Sequence, residues 1–123
     1  MTVRGIRGAI TIEADTASNV LEAVTLLLQT INTENDLVAD DISSILFTAT
    51  RDIKSIYPAR AARDLGWDKV PLLCFQEMDV TNSLPMCIRV LVNINTSKTN
   101  DQIKHVYLRK AVALRPDICK NQL

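Results

Sequence analysis

Apolar and polar residues follow regular periods along most of the chain, and these periods predict an alternation of strands and helices. Residues 2–12 alternate, with Ile6, Ile10 and Ile12 on one face, which is typical of a strand. From residue 17 to residue 31 apolar side chains recur every three or four positions, which predicts a helix with Asp15 or Thr16 as its N-cap. No linker interrupts the pattern, so it predicts a single domain over residues 1–123.

The second half of the chain continues the alternation. A shorter helix is expected to begin at Pro58 and to end at Gly66, and residues 103–108 form a short element. The last segment, residues 111–123, is expected to be a loosely held tail. Further strands are predicted at residues 42–50, 70–78 and 86–95.

Composition and charge exclude several classes of function. Lys plus Arg and Asp plus Glu each number 14, so no overall field favours nucleic acid or an acidic membrane. There is no apolar run long enough to span a bilayer and no CxxC pair among the three cysteines. With one histidine, His105, and no GxGxxG or P-loop, we expect no metal and no nucleotide cofactor. These features favour a cytoplasmic protein.

An arginine lies within the apolar strand predicted at residues 86–95. A charge in such a run is costly unless it is paired or binds a ligand, so Arg89 is a candidate for binding an anion. Glu77 ends the preceding predicted strand, and we expect the two side chains to lie on neighbouring strands. Arg7 lies on a strand face where its neighbours, Gly5 and Ala9, leave space around its guanidinium. Two such arginines favour a ligand with carboxylates, which arginine binds bidentately.

Each of these residues also has a purely structural interpretation. Arg89 could be an edge-strand arginine paired with a carboxylate, and Glu77 a solvated acid at a strand end. Cys74 could be a small buried hydrophobic residue, because the sequence supplies no base beside it. Tyr107 could be a core aromatic residue. The residues alone therefore predict a small domain that binds a carboxylated metabolite, with no defined nucleophile or general base.

Several segments together resemble the AroH class of chorismate mutases, in the same order and over almost the whole chain. The segments are Arg-Gly-Ile-Arg-Gly-Ala at 4–9, Tyr-Pro-Ala-Arg at 57–60 with Arg63, Gln-Glu-Met-Asp-Val-Thr at 76–81, Cys-Ile-Arg-Val at 87–90, His-Val-Tyr-Leu at 105–108 and Leu-Arg-Pro-Asp at 114–117.

The resemblance implies a fold, an assembly and a reaction. The fold would be a mixed α/β (α+β) domain, with a small mixed sheet flanked by two helices. The assembly would be a homotrimer with a barrel-like core and with active sites between subunits. The reaction would be the pericyclic rearrangement of chorismate to prephenate in phenylalanine and tyrosine biosynthesis. Such a reaction requires a held conformer and stabilised charge, without a nucleophile, a metal or a cofactor.

The resemblance also implies roles for individual residues. Arg89 would face the breaking ether oxygen, Arg7 would bind a carboxylate, and Glu77 would accept a hydrogen bond from the ring hydroxyl. Tyr107 would bind a carboxylate through its hydroxyl group, and Cys74 would lie beside Glu77. The pocket wall would include Tyr57, Ala59, Leu73 and Leu114, and the entrance Arg63 with Arg60 and Arg115. Two alternatives stay open at this point: a non-catalytic trimeric binder of a carboxylated metabolite, and a trimeric deaminase of imines.

Overall fold

The chain forms one mixed five-stranded sheet with helices, as a computed structural model shows for residues 1–119. Three short 3-10 helices lie at Ala39–Asp41, Asn100–Gln102 and Arg109–Leu114. The strands are β1 (Thr2–Thr11), β2 (Ile42–Ala49), β3 (Leu72–Gln76), β4 (Cys87–Thr96) and β5 (Val106–Leu108), and the helices are α1 (Ala17–Asn35), α2 (Ala59–Asp64) and α3 (Pro116–Cys119). The predicted mixed α/β class is confirmed.

The sheet has the strand order β3-β2-β4-β1-β5, with β4 at its centre. β4 pairs antiparallel with both β1 and β2, whereas β2–β3 and β1–β5 are parallel pairs. Two sequence expectations are therefore wrong. β4 is not an edge strand, and β3 is not its neighbour, because β2 lies between them. Because β2 and β4 are far apart in the sequence, the local pattern of residues does not predict that they pair.

One face of the sheet carries the main core and is covered by α1 and α2. Thr16 is the N-cap of α1, and its hydroxyl oxygen accepts a hydrogen bond from the Asn19 N–H at 3.1 Å, as predicted. The helix approaches β1 closely at Gly8. A Cβ atom there would lie 2.9 Å from Ile31 Cδ1 and 3.1 Å from the Val106 carbonyl oxygen, so a larger residue would force both neighbours to shift. This contact holds α1 against β1, beside β5 at one side of the sheet.

The opposite face of the sheet, here called the open face, is not covered by α1 or α2. Side chains on this face are identified by the cross-strand register, since directly opposed residues point the same way. Its members are Gly5, Arg7 and Ala9 of β1, Ser44, Leu46 and Thr48 of β2, Leu73 and Phe75 of β3, and Arg89, Leu91 and Asn93 of β4. Leu73 and Phe75 are 59% and 49% exposed, which is unusual for large apolar residues on a sheet.

One end of the open face is covered by the 3-10 helix Arg109–Leu114. Ala9, Tyr107 and Ala111 are buried there in a small apolar cluster, with Leu84 and Leu114 packed against it. The chain thus returns over the open face after β5. The prediction of a loose tail over residues 111–123 remains a prediction, because residues 120–123 lie outside the described part of the chain.

The strands β1, β2 and β4 agree with the sequence pattern to within one residue, whereas β3 is two residues shorter at each end than the predicted strand at 70–78. The short element predicted at residues 103–108 is a strand only from Val106 to Leu108. Gly66, where α2 was expected to stop, has a φ of +91°, a backbone conformation that favours glycine. Within residues 1–119, no helix has the length and apolar character needed to cross a membrane.

Candidate active site

Arg89 and Glu77 form an ion pair on the open face. The distance from Arg89 Nε to Glu77 Oε2 is 3.2 Å, and the side chains are 47% and 23% exposed. Glu77 directly follows β3, and its backbone N–H donates a hydrogen bond to the Ala49 carbonyl oxygen at the end of β2. This bond holds the Glu77 backbone beside the end of β2, and the Glu77 side chain reaches across β2 to Arg89 on β4. The two side chains therefore meet as expected from the sequence, although their strands are not neighbours.

Thr48 on β2 lies between the two charged residues. It is directly opposite Arg89 in the register, and its hydroxyl group donates a 2.8 Å hydrogen bond to Glu77 Oε2. The other carboxylate oxygen, Glu77 Oε1, accepts the backbone N–H of Met78 at 3.1 Å. Sequence reasoning missed Thr48. The available signal was a hydroxyl residue directly after the apolar run at 45–47, near the end of β2.

A row of residues crosses the open face from Thr48 to the covered end. Arg89 faces Ala9 across the β4–β1 pair, and Ala9 faces Tyr107 across the β1–β5 pair. Tyr107 is only 6% exposed, so its ring belongs to the small apolar cluster. The register thus separates Arg89 from Tyr107 by one alanine.

Arg7 is an exposed residue of the open face, two positions before Ala9 on β1. The space expected beside it is partly filled, because a Cβ at Gly5 would lie 3.1 Å from Leu91 Cδ1 and Ala9 is fully buried. Its backbone N–H donates a 2.9 Å hydrogen bond to His105 Nδ1. Burial lowers the pKa of His105, and the positive charges of Arg7 and Arg115 lower it further, which favours the neutral imidazole that accepts this bond.

Four further candidate residues form a second group beside α2. This group, here called the α2 group, consists of Tyr57, Ala59, Arg63 and Cys74. Cys74 is paired with Phe47 in the register and packs against the main core, on the side of the sheet opposite to Arg89. Tyr57 is 72% exposed, and Ala59 is buried at the start of α2.

A cleft of ≈ 610 Å³ lies beside the ends of β2 and β3. Its lining includes Tyr57, Cys74 and Thr48, and its volume falls within the ordinary range for small-molecule sites. The described residues that line it include neither Arg7 nor Arg89. One chain therefore brings Arg89, Glu77 and Thr48 together, and separately assembles the α2 group. Thr48 lines the cleft, whereas Arg89 and Glu77 are not among its lining residues.

Two thiol groups near these sites are in the protonated form at neutral pH. Burial raises the pKa of Cys74, although the Ala59 backbone N–H and the charge of Arg63 act in the opposite direction. Burial also raises the pKa of Cys87 to about 11. Arg63 lies near Cys74 and Arg89 near Cys87, but burial outweighs these positive charges, so neither thiol is held as a reactive thiolate. Among the side chains described, those of residues 1–117, no three of His, Cys, Asp or Glu are grouped so as to hold a metal ion.

Comparison with known proteins identifies the family. The family described as Chorismate mutase type I matches residues 3–118. The chain is 48% identical over 119 residues to "Chorismate mutase AroH" of Bacillus subtilis (strain 168), which covers 96% of this chain and 94% of that protein. It is 46% identical over 117 residues to "Chorismate mutase AroH" of Thermus thermophilus, covering 94% and 96% of the two chains.

A solved structure of similar fold is a chorismate mutase from Clostridium thermocellum. The TM-score is 0.88 and the identity 44%, with 89% of this chain and 98% of that chain covered. The chain therefore belongs to the chorismate mutase type I family, and it is an isomerase of that class. The resemblance inferred from the sequence is confirmed.

Proposed function

We propose that this chain rearranges chorismate to prephenate in phenylalanine and tyrosine biosynthesis, using the Arg89–Glu77 pair on the open face. The ion pair is the observation that carries the residue assignment, and membership of the chorismate mutase family supports the reaction. Nε of Arg89 contacts Glu77, so the two terminal nitrogens of the guanidinium extend beyond that contact. A fork of this kind suits a dicarboxylate substrate whose ether oxygen gains negative charge.

The chemistry requires positioning rather than covalent catalysis. The rearrangement is intramolecular: one carbon–oxygen bond breaks while one carbon–carbon bond forms, with no proton transfer. The protein therefore has to hold the folded conformer of the substrate and stabilise charge on the ether oxygen. The protonated thiols of Cys74 and Cys87 are consistent with such a site, since neither is poised as a nucleophile.

The other candidate residues are assigned to binding. Arg7 and Tyr107 bind substrate carboxylates, and Glu77 accepts the hydrogen bond of the ring hydroxyl. Their shared open face and the row through Ala9 support this assignment. Arg63 on α2 attracts the dianion at the entrance, an effect that long-range charge can produce. The pocket wall is assigned to Tyr57, Ala59, Leu73, Cys74 and Leu114.

The substrate site is completed by a second copy of the chain, in a homotrimer. Two observations support this proposal. Arg89 and Cys74 point to opposite sides of one sheet, so a single chain does not enclose a ligand with both. In addition, Leu73 and Phe75 leave large apolar surfaces exposed on the open face. Pairing the open face of one subunit with the α2 group of the next would cover these surfaces and close the cleft.

The proposed location is the cytoplasm. The sequence has three cysteines and no CxxC pair, and Cys74 and Cys87 are free thiols. Free cysteines are typical of reducing compartments.

A direct assay tests the proposed reaction. Purified chain is mixed with chorismate, and the loss of chorismate absorbance is followed while prephenate is identified as the product. Arg89→Ala, prepared identically, controls for mutase carried over from the expression host. Turnover by the wild type that is strongly reduced in this variant supports the proposal. Chorismate binding without turnover would indicate a metabolite binder, and ammonia release from an imine with no mutase activity would indicate a deaminase.

A further inference from the structure

The carboxylate of Glu77 is held by three donors in an unequal arrangement. Oε2 accepts the Thr48 hydroxyl at 2.8 Å and pairs with Arg89 Nε at 3.2 Å, whereas Oε1 accepts the Met78 N–H at 3.1 Å. An ionised carboxylate offers about four acceptor positions, two on each oxygen. Two donors therefore occupy Oε2, and Oε1 retains one acceptor position for a ligand.

We propose that Thr48 is a positioning residue of the active site. By binding Oε2, its hydroxyl holds Glu77 in the orientation that directs Oε1 to the ring hydroxyl of the substrate and keeps Arg89 Nε in place. This inference rests on the proposed function, because it deepens the roles of Glu77 and Arg89 in that reaction. Thr48 touches neither reacting atom in this proposal, and it acts through Glu77.

The sheet register explains why position 48 has this effect. Thr48 lies opposite Arg89 on the central pair β2–β4, and Glu77 follows the strand on the other side of β2. Thr48 is therefore the residue of β2 that lies directly opposite Arg89 and also within hydrogen-bonding distance of Glu77. A hydroxyl there can donate to the carboxylate, whereas an aliphatic side chain of the same shape cannot.

Two variants separate the hydroxyl from the shape of the side chain. Thr48→Val keeps the β-branched shape and removes the donor, and we expect kcat to fall at least roughly 10-fold, since a hydrogen bond to a charged group is lost. The fall should appear mainly in kcat, because a less firmly held Arg89 weakens an interaction that grows in the transition state. Thr48→Ser restores the donor and should retain activity within about threefold of wild type.

The decisive measurement repeats Thr48→Val in a Glu77→Ala background. If Thr48 acts through Glu77, the valine substitution should change kcat by less than about twofold there, because the acceptor is already absent. An equal fold-loss in both backgrounds would show a general packing effect and would overturn the proposal. So would a Thr48→Ser variant as impaired as Thr48→Val.

The controls keep this test distinct from the test of the reaction itself. Thr30→Val on α1 removes another threonine hydroxyl, one that donates to the Leu26 carbonyl oxygen, and should leave kcat unchanged. Thr48→Ala serves as a second donor-free variant if the valine variant does not fold by circular dichroism. If wild-type protein lacks mutase activity, the proposed function fails. If wild type is active and both donor-free variants match it, only the role of Thr48 fails.

Discussion

Arg89 Nε and Glu77 Oε2 are 3.2 Å apart, although β2 lies between β4, which contains Arg89, and β3, which Glu77 follows. The contact is possible because Glu77 stands just beyond the end of β3, where its backbone bonds to Ala49 at the end of β2. Substitutions at this pair should consequently affect function more than stability, since both side chains retain access to solvent.

Arg7 should contribute mainly to substrate binding. A carboxylate contact is present in the ground state as well as in the transition state, so Arg7→Ala should raise KM more than it lowers kcat. Steady-state kinetics with chorismate measure both constants. Arg4→Ala, on the helix-covered side of the same strand, is the matched control. A fall in kcat alone, with KM unchanged, would contradict the carboxylate assignment.

The turnover number should depend little on pH. No proton is transferred in the rearrangement, and the pKa of Cys74 and that of Cys87 are both raised by burial. We therefore expect kcat to vary little between about pH 6 and 9, without the bell shape of acid–base catalysis. Cys74→Ala should remain substantially active with the same profile. A well-folded, ligand-binding Cys74→Ala variant without turnover would instead support a nucleophilic thiol.

Stability should fall in mild acid because of His105. Its pKa is lowered in the folded protein by burial and by Arg7 and Arg115, so the unfolded chain binds the proton more readily. As far as His105 determines it, the free energy of unfolding should be highest at pH values above 6.5, the ordinary histidine pKa. It should then decrease as the pH falls through that value toward the lower folded pKa.

Denaturant unfolding between about pH 5 and 8 measures this effect. His105→Asn keeps a polar side chain beside the Arg7 N–H but does not titrate, so the acid-dependent loss should be smaller in the variant. Protein concentration is held constant, since subunit association also affects stability. Parallel curves for wild type and variant would rule out His105 as the source.

The regular periods of the sequence predicted most strands and helices, but they did not predict the order of the strands in the sheet, which depends on long-range pairing. The helix after Thr16 and the glycine stop at Gly66 follow from local rules of capping and backbone conformation. The placement of β2 between β3 and β4 depends on non-local pairing, which alternation alone does not encode. Arg89 and Glu77 were identified as candidates from their charge alone. Thr48 was not, because its role depends on the position of β2 between them.

Complementation between subunits tests the proposed interface. Arg89→Ala removes a group of the open face, and Arg63→Glu places a negative charge in the α2 group, where it should repel the dianion. Joint refolding at equal amounts should give roughly a quarter of the clefts both native arginines, if each cleft draws one from each of two neighbouring subunits. Activity per chain should then clearly exceed the mean of the separate variants.

The mixed preparation must first be shown to contain both chains in one assembly. Native mass spectrometry resolves the mixed species, because the two substitutions change the chain mass differently. Activity equal to the mean of the two variants, in a verified mixed assembly, would place Arg63 and Arg89 in the same subunit's site.

The central claim is that the guanidinium of Arg89 stabilises charge on the breaking ether oxygen, and the most direct measurement is kcat of Arg89→Ala at saturating chorismate. One donor to a developing oxyanion contributes ~3 to 4 kcal/mol, so kcat should fall by at least roughly 10²- to 10³-fold. Arg89→Lys, which keeps the charge and loses the fork, should also be impaired, while Arg4→Ala should match wild type. A folded Arg89→Ala protein with a kcat near that of wild type would contradict the account.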